Sequence, residues 1–134
     1  MGVRYLLDTN ICIYIAKHNP PAVRERFSQH AAGELAMSAI TYGELRYGAQ
    51  KSRAASKAVQ IIENLASVIA IAEVDASVGE HYGQIRAELE KQGRIIGNND
   101  LWIAAHARAK GWTVVTNNEH EFRRVSALEV ENWL

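Results

Sequence analysis

Three acidic residues stand against apolar sequence, where a carboxylate is out of place unless it has work to do. Asp8 closes the run Val3-Arg4-Tyr5-Leu6-Leu7, Glu44 interrupts Ile40-Thr41-Tyr42-Gly43-Glu44-Leu45, and Asp100 opens Leu101-Trp102-Ile103-Ala104-Ala105. A carboxylate in apolar surroundings is costly unless something cationic meets it. Three brought together would repel by about 3 kcal/mol per pair at ~6 Å and an effective dielectric of ~20. A divalent cation relieves that repulsion. The donors offered are oxygens, with one cysteine and no histidine pair four residues apart, which favours Mg²⁺ or Mn²⁺ over zinc. Such an ion takes few carboxylates plus phosphate oxygens, so the constellation points to phosphate chemistry and suits a nuclease.

Each acid also has a local explanation. Asp8-Thr9-Asn10 can be a strand end with a helix cap. Glu44 falls on a helical face with Ile40, Tyr47 and Gly48 that reads as inward, and a salt bridge to Arg86 would satisfy it. Asp100, on a face with Ile103, Ala104 and Ala107, is favoured in a first turn by the helix dipole. Three separate explanations are needed where one cluster suffices. His106 lies across the helical wheel from Asp100 and reads as a satisfied core or interface histidine; His18, His30, His81 and His120 have no ligand spacing. Trp102, Trp112 and Trp133 read as packing or interface anchors.

The elements that must position these groups follow from apolar periodicity. Val3–Leu7 reads as a strand, followed by helices over about 10–17 and 21–29, with Pro20 and Pro21 at a helix start. Leu35–Ser38 is a short strand, and Ser38 caps a helix running to about Lys51. Helices over about 53–67 and from Asp75 flank a strand at 68–74; in the second, Val78, Tyr82, Ile85 and Leu89 share a stripe. Asn98 or Asn99 caps the next helix, which Gly111 ends after about Lys110. Trp112–Thr116 reads as a strand buried on both faces, and 128–131 as a fifth, edge strand. Strands separated by helices imply right-handed crossovers. The fold expected is α/β: a three-layer α/β/α domain with a mostly parallel central sheet of four or five strands. Ligands then collect beyond the carboxyl ends of the strands, where Asp8, Ser38, Glu44 and the run Thr116-Asn117-Asn118 would converge with Asp100.

The 134 residues read as one domain with a sizeable core. No stretch approaches the ~20 apolar residues of a membrane span, and no signal peptide precedes the first strand. The single cysteine, Cys12, excludes an internal disulfide, fits a reducing cytoplasm and reads as a small core residue. Fifteen basic and fifteen acidic residues balance, which argues against nonspecific nucleic-acid binding by the whole surface. Local patches remain. Lys51, Arg53 and Lys57 crowd together, and Arg86, Arg94 and Arg108 lie near the acids in sequence; each taken singly reads as a solvated helix face.

Four ordered stretches carry a family resemblance: Leu6-Leu7-Asp8-Thr9-Asn10; Ser38 through Leu45 with Tyr47-Gly48-Ala49 behind; Gly97 through Ala107; and Val115-Thr116-Asn117-Asn118-Glu119-His120-Glu121-Phe122 with the tail Val130-Glu131-Asn132-Trp133. Together they resemble the PIN-domain ribonucleases, and in particular the VapC toxins of bacterial toxin–antitoxin pairs in their enteric-type branch. The resemblance spans nearly the whole chain. It implies a Mg²⁺-dependent endoribonuclease, held inactive by a VapB antitoxin, that inhibits translation by cutting initiator transfer RNA in its anticodon stem-loop. It implies that Asp8 and Asp100 are the principal metal ligands, that Glu44 is a ligand or orients the attacking water, and that the fourth acid is Glu121. Many PIN domains place an Asp where this chain has Asn118. Thr9, Asn10, Ser38, Thr116 and Asn118 would orient the ligands or the phosphate, and Arg86, Arg94 and Arg108 would position the RNA. A homodimer is expected, with DNA met only through the antitoxin complex, no membrane and a cytoplasmic location.

Other classes fit less well. Aspartyl-phosphate enzymes of the dehalogenase type need a second Asp where Asn10 stands, and receiver domains need paired acids near strand one and a strand-five Lys, neither of which is evident. A PIN-type nuclease or RNA-binding module outside toxin–antitoxin systems is the remaining alternative; a noncatalytic module would have lost an acid, and the three best positions are kept.

Overall fold

The computed structural model describes residues 2–134. Its elements, in chain order, are β1 (Tyr5–Leu7), α1 (Thr9–Lys17), α2 (Pro21–Ser28), β2 (Leu35–Ser38), α3 (Ala39–Gln50), α4 (Ala55–Ala66), β3 (Ala70–Ala72), α5 (Ala76–Lys91), α6 (Asn98–Lys110), β4 (Thr113–Val115), α7 (Glu119–Phe122) and β5 (Val130–Glu131). The strands form one sheet in the order β3-β2-β1-β4-β5, and every pairing is parallel. The all-parallel α/β/α architecture matches the expected fold, and the fifth, edge strand is present.

Alternation along the strands divides the core into two layers. Tyr5, Leu7, Leu35, Met37 and Val115 point to one side, where they pack with Ile11, Cys12 and Ile15 of α1, Leu45 and Ala49 of α3 and Ile62 and Leu65 of α4. Leu6, Ala36 and Val114 point to the other, against Val78, Ile85 and Leu89 of α5 and Leu101, Ile103, Ala104 and Ala107 of α6. Period-two side chains in a sheet covered on both faces produce this two-sided burial. Trp133 closes the first layer, stacked on His30 with ring centroids 5.2 Å apart. Lys110 at the end of α6 pairs with Asp75 at the start of α5, so the two helices run antiparallel.

Several boundaries differ from the sequence expectation. The first strand starts at Tyr5 rather than Val3, and the third spans Ala70–Ala72 rather than 68–74. Apolar runs continue past the point where a neighbouring strand is in register to bond them, so β-like sequence outlasts β-ladder. The fourth helix begins at Ala55, because Ser52–Ala54 form a turn held by the Ser52 hydroxyl accepting from the Ala54 amide. Gly97, not Asn98 or Asn99, occupies the cap position of α6 and makes no side-chain cap bond. Asn98 instead accepts from the Tyr82 hydroxyl at 2.6 Å. Gly111 ends α6 as expected, at φ 72° in the left-handed region that glycine enters without penalty.

Candidate functional site

Parallel pairing of β1 with β4 places Leu7 opposite Val115, so the next residues, Asp8 and Thr116, emerge side by side at the carboxyl ends of the two central strands. Asp8 is 5% exposed. Its Oδ1 accepts from the Thr9 amide at 2.7 Å as the cap of α1, and its Oδ2 accepts from the Thr116 hydroxyl at 2.8 Å. The capping explanation is therefore true and insufficient: it uses one oxygen, and the carboxylate stays buried without a cation.

The other acids arrive from three further segments. Glu44, two turns into α3, is held through Oε1 by the Thr9 hydroxyl at 2.7 Å, with Thr41 Oγ1 3.3 Å from that hydroxyl. Asp100 sits in the first turn of α6. Glu121 lies on α7, where Asn118 Nδ2 donates to its Oε2 at 3.1 Å while the Asn118 amide donates to Thr116 Oγ1 at 2.9 Å. A continuous line of hydrogen bonds thus runs from Glu121 through Asn118 and Thr116 to Asp8.

Electrostatics shows the convergence directly. Burial first, and then the charges of Asp8, Glu121 and Glu44, together push the Asp100 carboxyl up to about 6 from the ordinary 3.8. Burial also raises Asp8, opposed by the bonds from Thr116 and the Thr9 amide and reinforced by the Glu44 charge. Among the described residues none of the four acids belongs to an ion pair. Among the described residues no three His, Cys, Asp or Glu side chains stand at the spacing of a preassembled metal cage. Four unpaired carboxylates in a loose cluster fit an oxygen-seeking divalent ion that keeps several waters, and do not fit zinc.

Some expectations need correction. Arg86 does not meet Glu44: it bonds Glu90 at 3.1 Å and the Tyr82 hydroxyl at 2.9 Å on the outer face of α5. The α3 face that carries Glu44 does not look inward. Tyr47 on it is 67% exposed, because the inward stripe is Thr41, Leu45 and Ala49. Ser38 is fully buried and committed elsewhere, accepting from the Ile40 amide as the α3 cap and lying 2.9 Å from His106 Nδ1. Its hydrogen bonds thus go to the Ile40 amide and to His106, not to an acid of the cluster. Arg108 is held by His81, Gln84 and the Ser126 carbonyl, at the opposite end of α6 from Asp100, about 12 Å along the axis. Arg94 is exposed in the loop before α6, and Asn10 is exposed on α1. His106 is buried beside Trp112, and burial holds its imidazole below the usual 6.5. One of its ring nitrogens, Nε2, has no hydrogen-bond partner. Burial likewise pushes the Cys12 thiol far up, leaving it inert.

Sequence reasoning missed the surface beside the acids. A cleft of about 690 Å³ is lined by the polar Thr9, Glu44, Lys51 and Asn99 together with Tyr47, Ile40 and small residues of α3. Residues 44, 47 and 51 share a helical face, which was the available signal.

A family model for the PIN domain matches residues 5–128. The chain is 46% identical over 132 residues to ribonuclease VapC2 of Haemophilus influenzae, covering 98% of this chain and 99% of that protein. The chain belongs to the VapC branch of the PIN-domain family. Another relative, the tRNA(fMet)-specific endonuclease VapC of Shigella flexneri, is 46% identical over 131 residues and 98% of either chain. Among solved structures, DNA-bound VapBC from Salmonella typhimurium superimposes with a TM-score of 0.93 at 39% identity, covering 98% of this chain and 99% of that one. VapBC2 from Rickettsia felis, bound to a promoter DNA fragment, gives 0.92 at 39% identity over 98% and 100% of the chains.

Proposed function

We propose that this PIN domain is a divalent-metal-dependent endoribonuclease, the toxin of a VapBC-type pair, acting on structured RNA. One observation carries the reading: carboxylates from four separate segments lie near enough that the charges of Asp8, Glu121 and Glu44 raise the pKa of Asp100, and among the described residues no Lys or Arg pairs with any of the four. Mg²⁺ or Mn²⁺ bound there would neutralise the charge developing on a phosphate and lower the pKa of an attacking water. Asp8 and Asp100 would hold the ion. Glu44, fixed by Thr9, would orient the water for in-line attack. Glu121, fixed by Asn118, would complete the acidic ring, while Thr116 keeps the Asp8 carboxylate turned toward it. Arg94 would meet phosphate at the rim.

The name of the Shigella relative supports initiator transfer RNA as substrate, with the anticodon stem-loop as the segment cut and blocked translation as the consequence. The solved complexes support a VapB-type antitoxin as partner, through which DNA is met. An apolar cleft of about 540 Å³ between α1, α3 and α4 is lined by Ile13, Ala16, Leu45, Ala49 and Ile61 and reaches Thr9 and Glu44. An antitoxin segment seated there would cover the acids. A homodimer and a cytoplasmic location complete the proposal. Among the described residues no helix is long and apolar enough to cross a membrane.

Purified protein incubated with total RNA in Mg²⁺ should generate new 5′ and 3′ ends that EDTA suppresses. Asp8→Ala should abolish cleavage by at least about 100-fold while leaving the circular dichroism spectrum unchanged. Undiminished Mg²⁺-dependent cleavage by that variant would remove the mechanism.

A further inference from the structure

On the reading that RNA is the substrate, we propose that Tyr47 and Lys51 of α3 form the platform for an unpaired base beside the cut, the Tyr47 ring stacking on the base and Lys51 meeting the adjoining phosphate.

Among the described residues Tyr47 is the most exposed of the large apolar side chains, at 67%, with the Lys51 ammonium 4.9 Å from its ring centre. It stands one turn beyond Glu44, in the cleft that also contains Thr9 and Asn99. Two of the lining residues are glycines, Gly43 and Gly48. A Cβ added at Gly43 or Gly48 would meet no atom within 4 Å, so nothing inside the protein requires either glycine, although each weakens the helix. Their effect is to leave no side chain on either flank of Glu44 and Tyr47, which gives a nucleotide room to lie in the cleft.

Charge favours a polyanion over a protein segment as occupant. Lys51, Arg53 and Lys57 are all exposed around the α3–α4 turn, and among the described residues none of them pairs with a carboxylate. Cations at one end of a cleft and metal-seeking acids at the other suit a backbone whose phosphates run between them. An aromatic ring between the two suits the base, since every base offers a π-face and unpaired RNA is recognised by stacking.

The test is steady-state cleavage of a stem-loop RNA in Mg²⁺, together with fluorescence of the same RNA carrying 2-aminopurine in its loop, whose emission falls on stacking. Tyr47→Ala should raise KM about tenfold with kcat unchanged, and should restore 2-aminopurine emission in the bound RNA. Tyr47→Phe should behave like the unaltered chain. Lys51→Ala should weaken binding and flatten its salt dependence. Being exposed, both positions can be changed without unfolding the protein, which thermal melts verify. An unaltered KM and unaltered quenching in Tyr47→Ala would overturn the proposal. So would the same result with weakened binding of a VapB-type antitoxin, which would assign the face to protein. If the unaltered chain fails to cut any RNA, the nuclease reading fails by itself, because the fluorescence arm reports stacking without turnover.

Discussion

Asp100 takes up a proton near pH 6 because burial and three neighbouring charges all disfavour its ionised form. The sign for stability follows. A carboxyl whose folded pKa exceeds its unfolded value binds protons more tightly in the native state, so its contribution is fully present below about pH 4 and lost as pH rises through 6. Metal-free protein should therefore lose part of its resistance to urea between pH 4 and pH 6.5, and Asp100→Asn should flatten that slope. A midpoint independent of pH in the unaltered chain would contradict the electrostatic picture. The same ionisation must precede metal binding, so cleavage should fall as pH drops below 6. At this scale Asp8, Glu44 and Asp100 were legible, because a carboxylate in apolar sequence is anomalous whatever surrounds it. Their partners were not. The Thr9 bond to Glu44 crosses 35 positions of sequence and the Thr116 bond to Asp8 crosses 108, and no local pattern encodes either.

Elements were read well wherever periodicity was long and badly wherever a boundary depended on a distant neighbour. The stripe Val78, Ile85 and Leu89 is buried as its spacing required, whereas the lengths of β1 and β3 are set by strands they pair with. Helix α3 shows how a face can be misassigned. Its buried residues Thr41, Leu45 and Ala49 sit close on the wheel to Ile40, Glu44 and Gly48, and apolarity alone could not say which row met the sheet. The short helix α7 was not anticipated, since a four-residue element has no period to display. The open space around Gly48 gives a clean prediction for α3. Gly48→Ala should stabilise the protein by about 0.5–1 kcal/mol, seen as a raised Tm, because alanine loses less backbone entropy and meets no atom. A lowered Tm would mean that the position is packed in a way the geometry does not show.

Whole-molecule behaviour is governed by the sheet order. β1 lies at the centre, with β2 and β4 on either side, and the acids approach from both. Native protein alone assembles the cluster, so a divalent ion that binds it must shift the folding equilibrium. Mg²⁺ at about 100 times its Kd should add about 2.7 kcal/mol, measured as a Tm increase that EDTA reverses and that Asp8→Ala abolishes. The same increase in Asp8→Ala would place the ion elsewhere. The alternation of strands and helices made this architecture readable before any coordinate, because parallel strands must be joined by crossovers. The five-strand order was not, since hydrophobic runs alone do not state which strand neighbours which.

One consequence of the central strand reaches beyond the folded state. Asp8 emerges early from a ribosome, but Thr116, which anchors it, is made 108 residues later. A half-synthesised chain therefore carries Asp8 and Glu44 without Asp100, Glu121 or the Thr116 anchor, and a copy truncated before β4 still lacks Thr116 and Glu121. Destructive capacity switches on only when synthesis is nearly done, which gives a cell an interval in which to intercept each new copy before it can cut anything.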